Sequence, residues 1–121
     1  MNLKLTELAG VLLITPPVTF EDFRGTNTEN WNKKKYREYG IENDWVLDSI
    51  STSRKHVLRG IHGDDHTTKL ISCLHGDIYF VVINNDPESN QYKQWQSFHL
   101  SGANRQQVLV PPKFGNAHLV M

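Results

Sequence analysis

Short apolar runs recur along the chain between polar, turn-forming stretches: GVLLIT (10 to 15), DWVLDSIS (44 to 51), HVLRGI (56 to 61), KLISCLH (69 to 75), DIYFVVIN (77 to 84), QWQSFHL (94 to 100) and QQVLVP (106 to 111). They have strand length and turn signals at their ends, so they predict β-strands. His75-Gly76-Asp77 predicts a tight hairpin, and residues 84 to 90 and 101 to 104, rich in Asn, Asp, Ser and Gly, predict loops. Only NWNKKKYREY (30 to 39), stopped by Gly40, reads as a helix, short and peripheral. No βαβ alternation, internal repeat or linker interrupts the pattern.

Many closely spaced strands predict an all-β chain, and the expectation is a single domain over residues 1 to 121 folded as a jelly-roll barrel with at most one short helix. Pro111-Pro112 does not fit a central strand, so the last segment is expected to cross a sheet edge before a new strand begins at Ala117. Ending at Met121 inside an apolar run leads us to expect missing C-terminal sequence and a final strand unpaired on one side, with Phe98, Leu100, Val108 and Val110 facing the core. An open edge calls for a partner. The long apolar segment 10 to 15, followed by Pro16-Pro17, predicts a homodimer through sheet-edge pairing.

Charge narrows the partners. Thirteen Lys and Arg against 13 Asp and Glu remove the long-range field that a nucleic acid or an anionic membrane would need. No apolar stretch approaches the roughly 20 residues of a membrane span, and the N-terminus lacks a signal-peptide pattern, so the expected location is the cytoplasm. The lone Cys73 sits in an alternating run and reads as a buried, inert thiol.

Titratable side chains concentrate in RKHVLRGIHGDDHTTKL, which holds Arg59, His62, Asp64, Asp65, His66 and Lys69. Strand alternation places Arg59 and His62 on opposite faces unless Gly60 introduces a bulge. Solvated strand-end charges are the bland explanation; a histidine flanked by Arg and Lys is also a candidate base. His62, His66 and His118 with an aspartate are a conceivable metal set, but the spacing His-Gly-Asp-Asp-His and the neighbouring Lys69 ammonium argue against a dication, and no metal is expected. There is no nucleophile elbow and no Gly-rich phosphate loop, so a phosphate would be held by Arg or Lys side chains.

EDFRG (21 to 25) with Glu29, then SRKHVLRGIHG (53 to 63), Lys69-Leu70, HGDIYFVVIN and VLVPPKFGNAH (108 to 118) together resemble the dTDP-4-dehydrorhamnose 3,5-epimerase family, over nearly the whole chain. LRGIHGD and PPKFGNAH look closest to the epimerases of GDP-linked 4-keto heptoses in capsule synthesis. The resemblance implies a cupin-type jelly roll, usually homodimeric. It further implies an activity that needs no cofactor and inverts carbons beside the C4 ketone of a nucleotide-diphosphate sugar. It assigns His62 as the base and Lys69 as the cation beside the C4 oxygen. Arg24 and Arg59 match positions that contact sugar or pyrophosphate, Glu29 one in the nucleotide region, and His118 one that lines the pocket. Leu47 and Ser49 stand where the family often has Gln and Asn, so the nucleotide base is unassigned. The family's opposite-face tyrosine acid, and an aspartate that pairs with the histidine, lie past residue 121. Two other readings are a 3,4-ketoisomerase, whose His-x-His is replaced here by Gly63 and Asp64, and a non-catalytic sugar-nucleotide binding jelly roll.

Overall fold

The protein is described by a computed structural model over all 121 residues. Ten strands and one helix follow in chain order: β1 (Asn2–Leu5), β2 (Leu12–Thr15), β3 (Val18–Asp22), β4 (Gly25–Thr28), α1 (Lys33–Glu38), β5 (Leu58–His62), β6 (Lys69–Ser72), β7 (Asp77–Asn84), β8 (Trp95–Ser101), β9 (Gln107–Val110) and β10 (Phe114–Val120). They form two four-stranded antiparallel sheets, ordered β1-β2-β9-β6 and β5-β10-β7-β8, and a separate β3-β4 hairpin.

The all-β class with one short helix holds, but the expected closed barrel does not. Closure would require hydrogen bonds between β6 and β5, or between β1 and β8, and these four strands are edges. The result is a sandwich of two open sheets. Its core is an alternation problem solved from both sides: Phe80 and Val82 of β7, Phe98 and Leu100 of β8 and Phe114 of β10 meet Val108 and Val110 of β9, with Leu8, Val11 and Cys73 filling in. Each such fully buried side chain contributes about 1.5–3 kcal/mol relative to exposure. The expected core positions Phe98, Leu100, Val108 and Val110 are all here.

The opposite face of the first sheet is covered by the helix and its flanks. Ile14 and Leu109 pack with Tyr36 of α1 and with Ile41, while Trp31 and Trp45 pack against them. Asn32 caps the helix, its side-chain oxygen accepting from Lys35 N at 3.1 Å, and Gly40 ends it at φ +85°. Gln107 is fully buried on this face. Its amide donates to Asn30 and its oxygen accepts from the Tyr36 hydroxyl at 2.6 Å, which satisfies a polar group that would otherwise be costly inside.

Several expectations about edges are corrected. Residues 10 to 15 do not offer a pairing edge, because β2 lies between β1 and β9. The final strand is not unpaired: β10 lies between β5 and β7, and it begins at Phe114 rather than Ala117, the crossing between sheets being made by Pro111 to Lys113. His75-Gly76-Asp77 does not close a hairpin, because it carries the chain from β6 in one sheet to β7 in the other. The expected strand 44 to 51 is absent; that segment has no regular structure and leaves Val46, Leu47 and Ile50 exposed.

Candidate functional site

The two edge strands β5 and β6 border an open mouth of the sandwich, and the titratable residues of the 54 to 69 segment are placed by them. In the β5–β10 pairing, Arg59 stands opposite His118 and His62 opposite Asn116. Three residue steps on β5 thus match two on β10, so a bulge containing Gly60 and Ile61 brings Arg59 and His62 onto one face. Only glycine fits this bulge. Its φ is +125°, and a Cβ at residue 60 would lie 2.6 Å from the Ala117 Cβ and 2.7 Å from the Ala117 Cα. The alternation along β10 puts Asn116 and His118 on the face of core residue Phe114, so Arg59 and His62 also look toward the space between the sheets.

Lys69 enters that space from the other sheet. On β6 it stands opposite Val110, and Val110 is a core residue, so Lys69 shares the inward face. Its Nζ donates to Asn116 Oδ1 at 3.1 Å across the mouth. An ammonium can only donate, which fixes the amide oxygen as the atom turned toward it. The mouth therefore collects an imidazole, an ammonium, a guanidinium, a second imidazole and an amide from three strands. Among the expected site residues, His62, Lys69, Arg59 and His118 come together. Asn116 joins them without having been singled out; its only signal was its place beside Ala117-His118 in the quoted motif.

The electrostatics are positive. His118 is half-buried, and its imidazole is held below the ordinary histidine range by burial first and then by the charges of Arg59 and His62. Arg59 is exposed and oriented by two acceptors, its Nε donating to Ser53 Oγ at 2.8 Å and a terminal nitrogen to the Thr52 carbonyl at 3.1 Å. The loop between β5 and β6 folds around Asp64, whose carboxylate accepts from the Thr67 hydroxyl and from the His66 and Thr67 amides. Those bonds, with a smaller contribution from the Lys69 charge, hold Asp64 at about 2. Lys113 N donates to the Asp64 carbonyl at 2.8 Å, tying this loop to the β9–β10 crossing.

Arg24 and Glu29 are placed elsewhere. Arg24 sits in the exposed β3-β4 hairpin with its guanidinium paired to Asp22, and that pairing raises the Arg24 pKa and lowers that of Asp22. Glu29 accepts from Asn32 at 2.6 Å and from Lys35 at 3.1 Å, which lowers its pKa and makes it part of the start of α1. No hydrogen bond or ion pair links either to the cluster at the mouth. A surface hollow of about 570 Å³ lies against Phe20, Asp22 and Arg24, and another of about 250 Å³ lies between Thr28, Ser72 and Arg105. No three His, Cys, Asp or Glu side chains converge as metal ligands. Cys73 is buried in the core, where burial raises its thiol pKa. No helix is long and apolar enough to cross a membrane.

What this arrangement can do chemically is abstract a proton and stabilise the resulting negative charge, with cations to hold a polyanionic substituent nearby. Comparison with known proteins points the same way. A family model for dTDP-4-dehydrorhamnose 3,5-epimerase matches residues 5–121. The chain is 35% identical to the dTDP-4-dehydrorhamnose 3,5-epimerase of Escherichia coli, over all of this chain and 67% of the relative. It is 32% identical to that of Methanothermobacter thermautotrophicus, over 96% of this chain and 63% of the relative. It thus spans about two thirds of the length of these relatives. The crystal structure of the Bacillus anthracis enzyme with TDP and pyrophosphate bound superposes with a TM-score of 0.92 at 32% identity, covering 99% of this chain and 70% of that one. The Legionella pneumophila enzyme in complex with dTDP-4-keto-L-rhamnose also gives 0.92 at 32% identity, over 99% and 65%.

Proposed function

Because the chain belongs to the dTDP-4-dehydrorhamnose 3,5-epimerase family, we propose that it is an epimerase of a nucleotide-linked 4-keto sugar, working through an enolate without a cofactor. The observation that carries this reading is the cross-sheet contact: Lys69 reaches Asn116 at 3.1 Å, and Asn116 is the strand partner of His62. A base and a cation thus face one space from two sheets.

Inverting a carbon beside a ketone begins with removal of its proton. The His62 imidazole takes that proton from C3 or C5. The C–H electron pair becomes a C=C bond to C4, and the carbonyl π pair moves onto the C4 oxygen. Lys69 stabilises that enolate oxygen by charge and by an N–H donor. Return from His62 of a proton that it has first exchanged with solvent gives isotope exchange without inversion; delivery of a proton to the opposite face by a separate acid gives inversion, after which His62 releases its proton to solvent. Arg59, with N–H groups beyond those given to Ser53 and Thr52, is suited to a pyrophosphate oxygen. In this reading Arg24 exchanges Asp22 for a phosphate, Glu29 serves the nucleotide, and His118 lines the sugar pocket. The reading includes a homodimer, a cytoplasmic location, and a role in bacterial surface-polysaccharide synthesis, with a GDP-linked heptose as the first substrate to try.

Product analysis tests it. Incubated with GDP-linked and dTDP-linked 4-keto sugars, the protein should give products inverted at C3, C5 or both, with the ketone still at C4 by NMR. A ketone moved to C3 would make it a ketoisomerase. Calorimetric binding with unchanged sugars would leave a sugar-nucleotide binding protein.

A further inference from the structure

Resting on that reading, we infer that Asn116 is a positioning residue whose amide oxygen fixes the Lys69 ammonium over the face of the sandwich that carries His62. Lys69 begins an edge strand and carries its charge on a flexible four-carbon stem, so without an anchor the ammonium would sample many positions. Asn116 supplies the anchor from a rigid base: it is 9% exposed, and its backbone is paired on both sides, with Val82 of β7 and His62 of β5. The same residue thus sets the cation's position and, through the strand pairing, its relation to the base.

The chemistry of the anchor matters as much as its place. An amide oxygen accepts one ammonium hydrogen without cancelling the charge, and leaves two for a developing enolate oxygen. A carboxylate at residue 116 would hold the lysine equally well but neutralise it. Asp64, the carboxylate that feels the Lys69 charge, is not available as an alternative anchor, because its oxygens are engaged by the Thr67 hydroxyl and by two backbone amides.

The test compares the full chain with Asn116→Leu, Asn116→Asp and Lys69→Met, and uses two readouts. The first is NMR relaxation of the Lys69 ε-carbon, assigned with Lys69→Arg. It should report a restricted side chain in the unmodified protein and in Asn116→Asp, and a mobile one in Asn116→Leu. Equal mobility in all three overturns the inference. The second is deuterium uptake beside the ketone of the sugar nucleotide. Asn116→Leu should slow kcat for uptake about 100-fold with KM changed less than about threefold, and should have no further effect in the Lys69→Met background. An equal loss in that background means that Asn116 acts independently of Lys69 and overturns the inference. Asn116→Ser, too short to reach, serves if the leucine variant fails to melt cooperatively. Absence of uptake in the unmodified protein would sink the epimerase reading alone, because the relaxation result still decides the role of Asn116.

Discussion

Replacing Gly60 by alanine should damage both the fold and the site, and the structure sets the magnitude. The residue has φ +125°, a region that side chains enter at a cost of about 1–3 kcal/mol. The added methyl would also meet the Ala117 Cβ at 2.6 Å, the Ala117 Cα at 2.7 Å and the Asn116 carbonyl oxygen at 2.9 Å. Because two of those three atoms are backbone, the overlap is relieved only by moving β5 away from β10, at a further cost of about 1–3 kcal/mol. Together the two effects amount to about 2–6 kcal/mol. At roughly 4 °C per kcal/mol for a domain of this size, the melting temperature should fall by about 8–24 °C. Gly40→Ala is the control: φ is +85° there too, but nothing lies within 4 Å of a Cβ, so only the backbone cost of about 1 kcal/mol applies. Calorimetric melting of the three proteins side by side is the assay. If Gly60→Ala melts within about 2 °C of the unmodified chain, or no lower than Gly40→Ala, the bulge does not require glycine and does not rigidly align Arg59 with His62.

Tyr36→Phe removes the hydroxyl that donates to the fully buried Gln107 oxygen and should cost about 1–3 kcal/mol in chemical denaturation; substituting Gln107→Leu in the same protein should recover part of it. His118, with its folded-state pKa below the unfolded value, makes the unfolded chain the stronger proton binder between those two values. Stability should therefore be full above about pH 6.5 and fall as pH drops toward the folded value, a slope that His118→Gln flattens in denaturation curves taken across pH 5 to 7. Cys73, buried and with a raised thiol pKa, should react slowly with a thiol reagent in the native protein and rapidly in denaturant; equal rates would contradict its place in the core.

Much of the fold could be read from pattern because burial on one side of a sheet imposes period two. The run DIYFVVIN, bounded by turn residues, is strand β7 to the residue, and the runs for β8 and β9 are right within one or two positions. The segments missed are short and mostly exposed: β1, β3 and β4 run four or five residues, and GTNT carries no apolar residue. The opposite error, a strand over 44 to 51, arose because alternation records a preference for pairing, whereas pairing needs a neighbour that this chain does not place there. Closure is not legible in the sequence, because strand number does not say which edges meet. In the site, His62 and Lys69 were legible as titratable residues in a dense polar segment. Their convergence was not, because it depends on a bulge and a cross-sheet contact. Asn116 was not legible for a related reason: an amide has no charge to mark it, and Asn116 falls before Ala117, where the sequence predicts the last strand to begin, whereas in the structure it lies inside β10.

Whether His62 and Lys69 act as base and enolate stabiliser is decided by solvent deuterium uptake at the carbons flanking the C4 ketone, followed by NMR in deuterium oxide with GDP-linked and dTDP-linked 4-keto sugars, for the unmodified chain, His62→Asn and Lys69→Met. Exchange needs only the base and the enolate stabiliser, so it reads the cluster at the mouth of the sandwich whether or not inversion follows. The unmodified chain should incorporate deuterium at C3, C5 or both, His62→Asn should abolish uptake at the affected carbon, and Lys69→Met should slow it by about 100-fold or more. Uptake that persists at full rate in His62→Asn, or its absence from the unmodified chain with every such sugar, would contradict the account.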